Sequence, residues 1–328
     1  MNPAPARIAN PRWLPGGHAQ TIWPKLFARL HHAAPPTLRR ERWDTPDGDF
    51  IDCDRLDAPA PQRPLLVLFH GLEGSSASHY AQAFASHAQQ LGWACALPHF
   101  RGCSGELNRA PRAYHSGDFA EIGWMLDQLR ARHDGPILAV GVSLGGNALL
   151  RWAQEAGASA GQSVRALAAI SAPLDLAAAS QAIHQGLNRL IYTRYFLRSM
   201  VPKALRQLQR HPGLLDGTAL ARARSLIEFD ELVTAPLHGF RNAADYYARA
   251  SAGPQLARLR VPSLVLNARN DPFVPFHSLP AARRHAGAAL TLWQPAHGGH
   301  AGFPSGRWPG SALGLPGSVC AWLQQHLD

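Results

Sequence analysis

Six apolar runs of strand length punctuate the chain: LLVLFHG (65–71), WACALPHFRG (93–102), PILAVGV (136–142), VRALAAISAP (164–173), PSLVLNARND (262–271) and AALTLWQPA (288–296). They are continuous and not alternating, which implies burial on both faces, as in a parallel sheet covered by helices. Between them lie segments with helical spacing: AQAFASHAQQLG (81–92), DFAEIGWMLDQLRARHDG (118–135), NALLRWAQEAG (147–157), SLPAARRHAG (278–287) and SVCAWLQQHL (318–327). This alternation predicts an α/β fold with a right-handed, mostly parallel doubly wound sheet. Ahead of it, RERWDTPDGDFIDCDRL (40–56) reads as two short strands around a Pro-Asp-Gly turn, an N-terminal antiparallel hairpin.

Two stretches break the rhythm. Residues 176–250 are helical in pattern, rich in Arg and aromatics, and too long for a loop, so they read as a cap or lid insertion over the carboxyl edge of the sheet. Leu190, Ile191, Tyr192, Tyr195 and Phe196 within it suit an apolar pocket or the packing of the cap onto the sheet. Residues 1–38, rich in Pro, Gly, His and Trp with no sustained period, read as an N-terminal arm on a single domain spanning 1–328.

Composition narrows the class. With 46% hydrophobic and 16% charged residues, 328 residues form a well-cored globular protein. No apolar run is long enough to cross a membrane, and MNPAPARIANPRWLPGG lacks the apolar core of a signal peptide, so a cytoplasmic protein is expected. Cys53, Cys95, Cys103 and Cys320 are scattered without a C-x-x-C pair, which argues for reduced thiols and against a disulfide framework or zinc site. The formal charge of +10 comes mainly from arginines spread along the chain. Only Arg194–Arg210 is locally dense in base, and it carries no nucleic-acid motif. That sets nucleic acid aside and leaves weak adhesion to an acidic membrane surface as an expectation.

The chemistry starts at AVGVSLGGN (139–147). Ser143 stands in G-x-S-x-G between a buried-type strand and a helix, the context of a nucleophile elbow, with its hydroxyl at a helix N-terminus. A serine needs a base, and elbow hydrolases supply it in the chain order Ser, Asp or Glu, His. Asp271, ending a strand and fixed by Pro272, is the preferred acid; Asp175 after the preceding strand is its rival, with helix capping as the alternative role. In AHGGHAGF, His297 and His300 both follow the last strand, and spacing alone leaves both open as the base. Their H-x-x-H spacing is poor for metal, since ligand pairs favour i, i+4 on a helix and a third ligand is not evident. An oxyanion hole needs two main-chain N–H groups, expected from Leu144, after the serine, and Leu72, after His70-Gly71.

PRWLPGGHAQTIWP, HGLEGSS, HFRGCSGE, GVSLGGN, LIEFDELVTAPLHGF with ADYY, LNARNDPFVP and GGHAGF together resemble the YheT-like α/β-hydrolases over nearly the whole chain. The resemblance implies an α/β-hydrolase fold and esterase- or lipase-like activity, with Ser143 as nucleophile, Asp271 as acid and His300 as base. The expected reaction is cleavage of carboxylic esters, acylglycerols or other lipid esters among them, through an acyl-enzyme, with no metal or organic cofactor. An acyltransferase with the same three residues and a silent binding protein on this fold are the alternatives.

Overall fold

The computed structural model describes residues 8–285 and 287–327. Eight strands form one sheet: β1 (Arg39–Asp44), β2 (Phe50–Leu56), β3 (Leu65–Phe69), β4 (Ala94–Pro98), β5 (Ile137–Val142), β6 (Ala166–Ile170), β7 (Ser263–Leu266) and β8 (Leu290–Trp293). Their spatial order is β1-β2-β4-β3-β5-β6-β7-β8. β1 and β2 form the expected hairpin, β2 pairs antiparallel with β4, and β3 to β8 pair in parallel.

Helices α2 (His79–Gln90), α3 (Phe119–Arg130), α4 (Leu144–Ala156) and α9 (Gly314–Gln324) cover the sheet. Alternate residues of one strand enter different layers. Leu65, Val67 and Phe69 pack with Ile122, Met125, Leu149 and Trp152, while Leu66 and Leu68 pack with Phe84, Val319 and Trp322. Both sets are buried, which is why the strand sequences show no polar alternation.

The stretch between β6 and β7 is helical for most of its length. Its longer elements are α5 (Leu176–Ile183), α6 (Arg194–Arg210) and α7 (Ala243–Ala250), and α8 (Ser278–Arg283) follows β7. The stretch reaches the loops that follow β3 and β4: Lys203 pairs with Glu73 at 2.9 Å, Gln207 bonds the Asn108 side-chain oxygen at 3.0 Å, and the Tyr246 hydroxyl accepts from Ser116 N at 2.9 Å.

The arm carries one element that the sequence reading does not include. Its residues 1–7 lie outside the described residues, but Gly17–Phe27 form helix α1, which sequence periodicity did not indicate. The helix carries Pro24, and its buried residues are Gln20 and Pro24, while Ile22, Trp23, Leu26 and Phe27 stay partly or fully exposed. Tertiary contacts of the Gln20 face, not burial of its apolar side chains, hold it.

Candidate active site

Ser143 connects β5 to α4 at φ 54° and ψ −120°, a strained conformation for a residue with a Cβ. The turn is sharp because three backbones converge. A Cβ on Gly145 would lie 2.5 Å from the main-chain oxygens of Phe69 and His70, and one on Gly141 would lie 2.6 Å from the Gly146 Cα. The flanking glycines are therefore demanded by β3 and β5 approaching the first turn of α4. Asn147 anchors that turn from inside: its amide donates to the carbonyls of Ser116 and Ala250 at 2.8 Å each and its oxygen accepts from Ala252 N at 3.0 Å.

The loops after β7 and β8 bring two more side chains to Ser143. His300 Nε2 lies 2.9 Å from Ser143 Oγ, and His300 Nδ1 lies 3.0 and 3.1 Å from the two oxygens of Asp271. A carboxylate only accepts, so Nδ1 carries the ring proton and Nε2 is left to accept from the serine hydroxyl. The Asp271 carboxylate is fully buried; its Oδ1 also accepts from the amides of Phe273 and Val274 at 2.8 and 3.1 Å. Phe273 packs on the imidazole with ring centroids 4.2 Å apart.

The two rivals lie elsewhere. Asp175 is exposed and caps α5, accepting from Ala178 N at 3.0 Å. His297 is exposed, and its carbonyl accepts from the Asn10 side chain. The described residues contain no cluster of His, Cys, Asp and Glu able to hold a metal ion.

Helix α1, which periodicity missed, holds the His300 loop. Gln20 accepts from Gly298 N at 2.8 Å and from the Asn270 amide at 2.9 Å, and it donates to Leu14 O. Thr21 Oγ accepts from His300 N at 2.8 Å, and Asn270 accepts from Gly299 N at 3.1 Å. Gly299, at φ 61°, faces Thr21 so closely that a Cβ would sit 2.7 Å from the Thr21 nitrogen. Gln20, Thr21 and Asn270 fall within PRWLPGGHAQTIWP and LNARNDPFVP, so the only sequence signal for them was that resemblance.

Leu72 and Leu144 flank the same space as Ser143 and His300. The Leu72 turn is braced on both sides. His70 donates from Nδ1 to Gly71 O at 2.8 Å and accepts at Nε2 from Phe100 N, while Gly71 N donates to the Tyr80 hydroxyl. Complete burial holds the His70 imidazole neutral, its pKa pushed down to about 3. Beyond the turn, Glu73 at φ 55° receives the Tyr114 hydroxyl at 2.9 Å and the Lys203 ammonium at 2.9–3.0 Å.

Ser143 stands where two cavities meet. One lies under the β6–β7 segment and is lined by Leu176, Ile183, Met200, Leu226, Asp230 and Phe273. The other opens outward between α1, the Gly71–Tyr80 loop and Ile191–Phe196. Asp230, buried in its lining, accepts from the Tyr247 and Thr234 hydroxyls at 2.7 Å each, and desolvation raises its pKa to about 6. Asp230 lies within LIEFDELVTAPLHGF, and no motif chemistry marks it there.

Residues 64–306 match the family described as alpha/beta hydrolase fold. YheT of Escherichia coli (strain K12) is 38% identical over 316 residues, spanning 95% of this chain and 91% of its own. Phospholipase ABHD3 of Mus musculus is 31% identical over 285 residues, 84% of this chain and 68% of its own. Among solved structures, the esterase Pf2001 of Pyrococcus furiosus superposes with a TM-score of 0.57 at 14% identity, over 92% of this chain and 99% of its own, a likeness of fold. No helix among the described residues is long and apolar enough to cross a membrane. With its sheet order, its strained serine turn and these matches, the chain belongs to the alpha/beta hydrolase fold family, alongside YheT.

Proposed function

We propose that this chain is a serine hydrolase of carboxylic esters, lipid esters included, with Ser143 as nucleophile, His300 as general base and Asp271 as its orienting acid. The observation that carries the reading is the continuous hydrogen-bonded relay from Asp271 through His300 to Ser143, opening on a mostly apolar cavity. Ser143 Oγ bonds to the ester carbonyl carbon as its proton passes to His300 Nε2, and the buried Asp271 carboxylate stabilises the imidazolium. The main-chain N–H groups of Leu144 and Leu72 take the negative charge of the tetrahedral oxygen. The bond to the alcohol then breaks, and His300 returns the proton to the departing oxygen. A water molecule deprotonated by His300 attacks the acyl carbon; the bond to Ser143 Oγ then breaks, His300 returns the proton to Oγ, and the carboxylic acid leaves.

The helical segment 176–250 acts as the cap, and the cavity beneath it holds the acyl chain: the apolar lining Leu176, Ile183, Met200 and Leu226 supports this. A relative named a phospholipase, 31% identical, supports lipid esters as a class. A fluorophosphonate probe tests the reading: it labels the wild type and leaves Ser143→Ala unlabelled, with the variant's fold unchanged by circular dichroism. A wild type that stays unlabelled and turns over no ester of any chain length sinks it.

A further inference from the structure

The outer cavity has a rim unlike the rest of the surface. Leu26 and Phe27 at the end of α1, with Leu187, Leu190, Ile191 and Tyr195, are large apolar or aromatic side chains each 40–61% exposed. Two segments bring Leu26, Ile191 and Tyr195 to one cavity, and Phe27, Leu187 and Leu190 adjoin them along the chain. Lys25 bonds the Tyr195 hydroxyl at 2.6 Å, and Leu26, Ile191 and Tyr195 line the cavity that holds Ser143 and His300. Large apolar side chains gathered on one face usually mark a contact surface.

The charge on these two segments is of one sign. Residues 8–40 and 176–215 contain no Asp or Glu. The same stretches expose Lys25, Arg29, Arg189, Arg194 and Arg198. The nearby carboxylate of Glu73 is only 8% exposed and already paired with Lys203. Apolar side chains ringed by long cationic ones are suited to an interface where acyl chains lie under anionic headgroups.

We propose that this rim docks onto an anionic lipid surface, placing the mouth of the Ser143 cavity against the bilayer so that an acyl ester enters from the membrane side. The entry route rests on the ester-hydrolase reading; the docking itself stands on exposure and charge alone. Leu26, Leu187 and Leu190 would sit at the acyl boundary, with Arg189, Arg194 and Arg198 at headgroup level.

Co-sedimentation of the full chain with phosphatidylcholine vesicles, with or without phosphatidylglycerol, tests it. The wild type partitions onto the mixed vesicles, and raising the salt weakens binding. Leu187→Asp/Leu190→Asp and, separately, Arg189→Glu/Arg198→Glu each lower partitioning about tenfold or more, the scale expected for a few lost apolar and cationic contacts. Neither pair changes turnover of a short, water-soluble ester. Absence of binding to either vesicle, or binding that both variants retain, overturns the proposal. So does a concentration-dependent dimer, lost in Leu187→Asp/Leu190→Asp, with no affinity for vesicles. A chain that binds vesicles and cleaves nothing leaves the docking intact and removes the ester reading instead.

Discussion

At the level of single residues, strain and close approach explain the serine turn better than the motif does. Ser143 holds φ 54° because the main chain at Gly145 abuts Phe69 and His70. Gly145→Ala should push α4 off β3, costing about 2–4 kcal/mol as overpacking against backbone. Thermal unfolding would show it, together with loss of ester turnover; an unshifted Tm would refute the packing account. Asp271→Asn keeps the shape of the site but presents an amide to His300 Nδ1. Turnover should fall about 10³–10⁴-fold, as expected when the imidazole is held in the wrong tautomer, while the circular dichroism spectrum stays that of the wild type. A loss under tenfold would show that Asp271 does not orient His300.

Among elements, the supports of the site come from α1, which the sequence reading leaves without a period, and from α6 in the helical stretch between β6 and β7. Gln20 on α1 is buried and joins Gly298 N, the Asn270 amide and Leu14 O. Gln20→Ala should leave the Gly298 N–H without its partner, costing about 1–3 kcal/mol, and should lower kcat more than KM for a soluble ester because His300 loses its placement. A rise in KM with kcat unchanged would instead put Gln20 in substrate binding. Across the site, Lys203 of α6 pairs with the part-buried Glu73 next to Leu72. Lys203→Met should free the Glu73 carboxylate and the turn that carries the Leu72 amide. We expect kcat to drop about tenfold or more, the scale of a misaligned oxyanion donor, and equal kinetics would uncouple α6 from that turn.

For the whole molecule, acid should be the weak direction. Burial lowers His70 to about 3 and His115 to about 4, from an ordinary 6.5, chiefly by desolvation. Between those values and 6.5 the unfolded chain binds more protons than the folded one, so stability falls as pH drops through that window. The slope is at most about 1.4 kcal/mol per pH unit for each histidine. Asp230 works the other way: raised to about 6, it makes the folded state bind the extra proton between 3.8 and 6, which adds stability on acidification. Asp230→Asn removes that opposing contribution, so its Tm should fall more steeply than the wild type's from pH 7 to pH 4. Parallel Tm curves for the two proteins over that range would show that Asp230 does not titrate there.

Strands, the sheet class and the serine turn were legible because each leaves a local mark: a run of apolar residues, a period, or glycines that a sharp turn requires. β3, β5, β6 and β7 fall inside the apolar runs, since both faces of each are buried and no charged residue interrupts them. The choice between His297 and His300 had no such mark. The two histidines share one loop and lie three positions apart, and only the resemblance pointed to His300. The fold brings His300 to Asp271 and Ser143 and leaves His297 in solvent, because Gly298 and Gly299 are pinned by Gln20 and Asn270, 278 and 29 residues away. Helix α1, Asp230 and the cationic apolar rim belong to the same group. Sequence by itself determined which segments must be buried and where a nucleophile could sit. Which polar side chains meet there was decided by tertiary structure, because a hydrogen bond between residues hundreds of positions apart leaves no periodic trace in either segment.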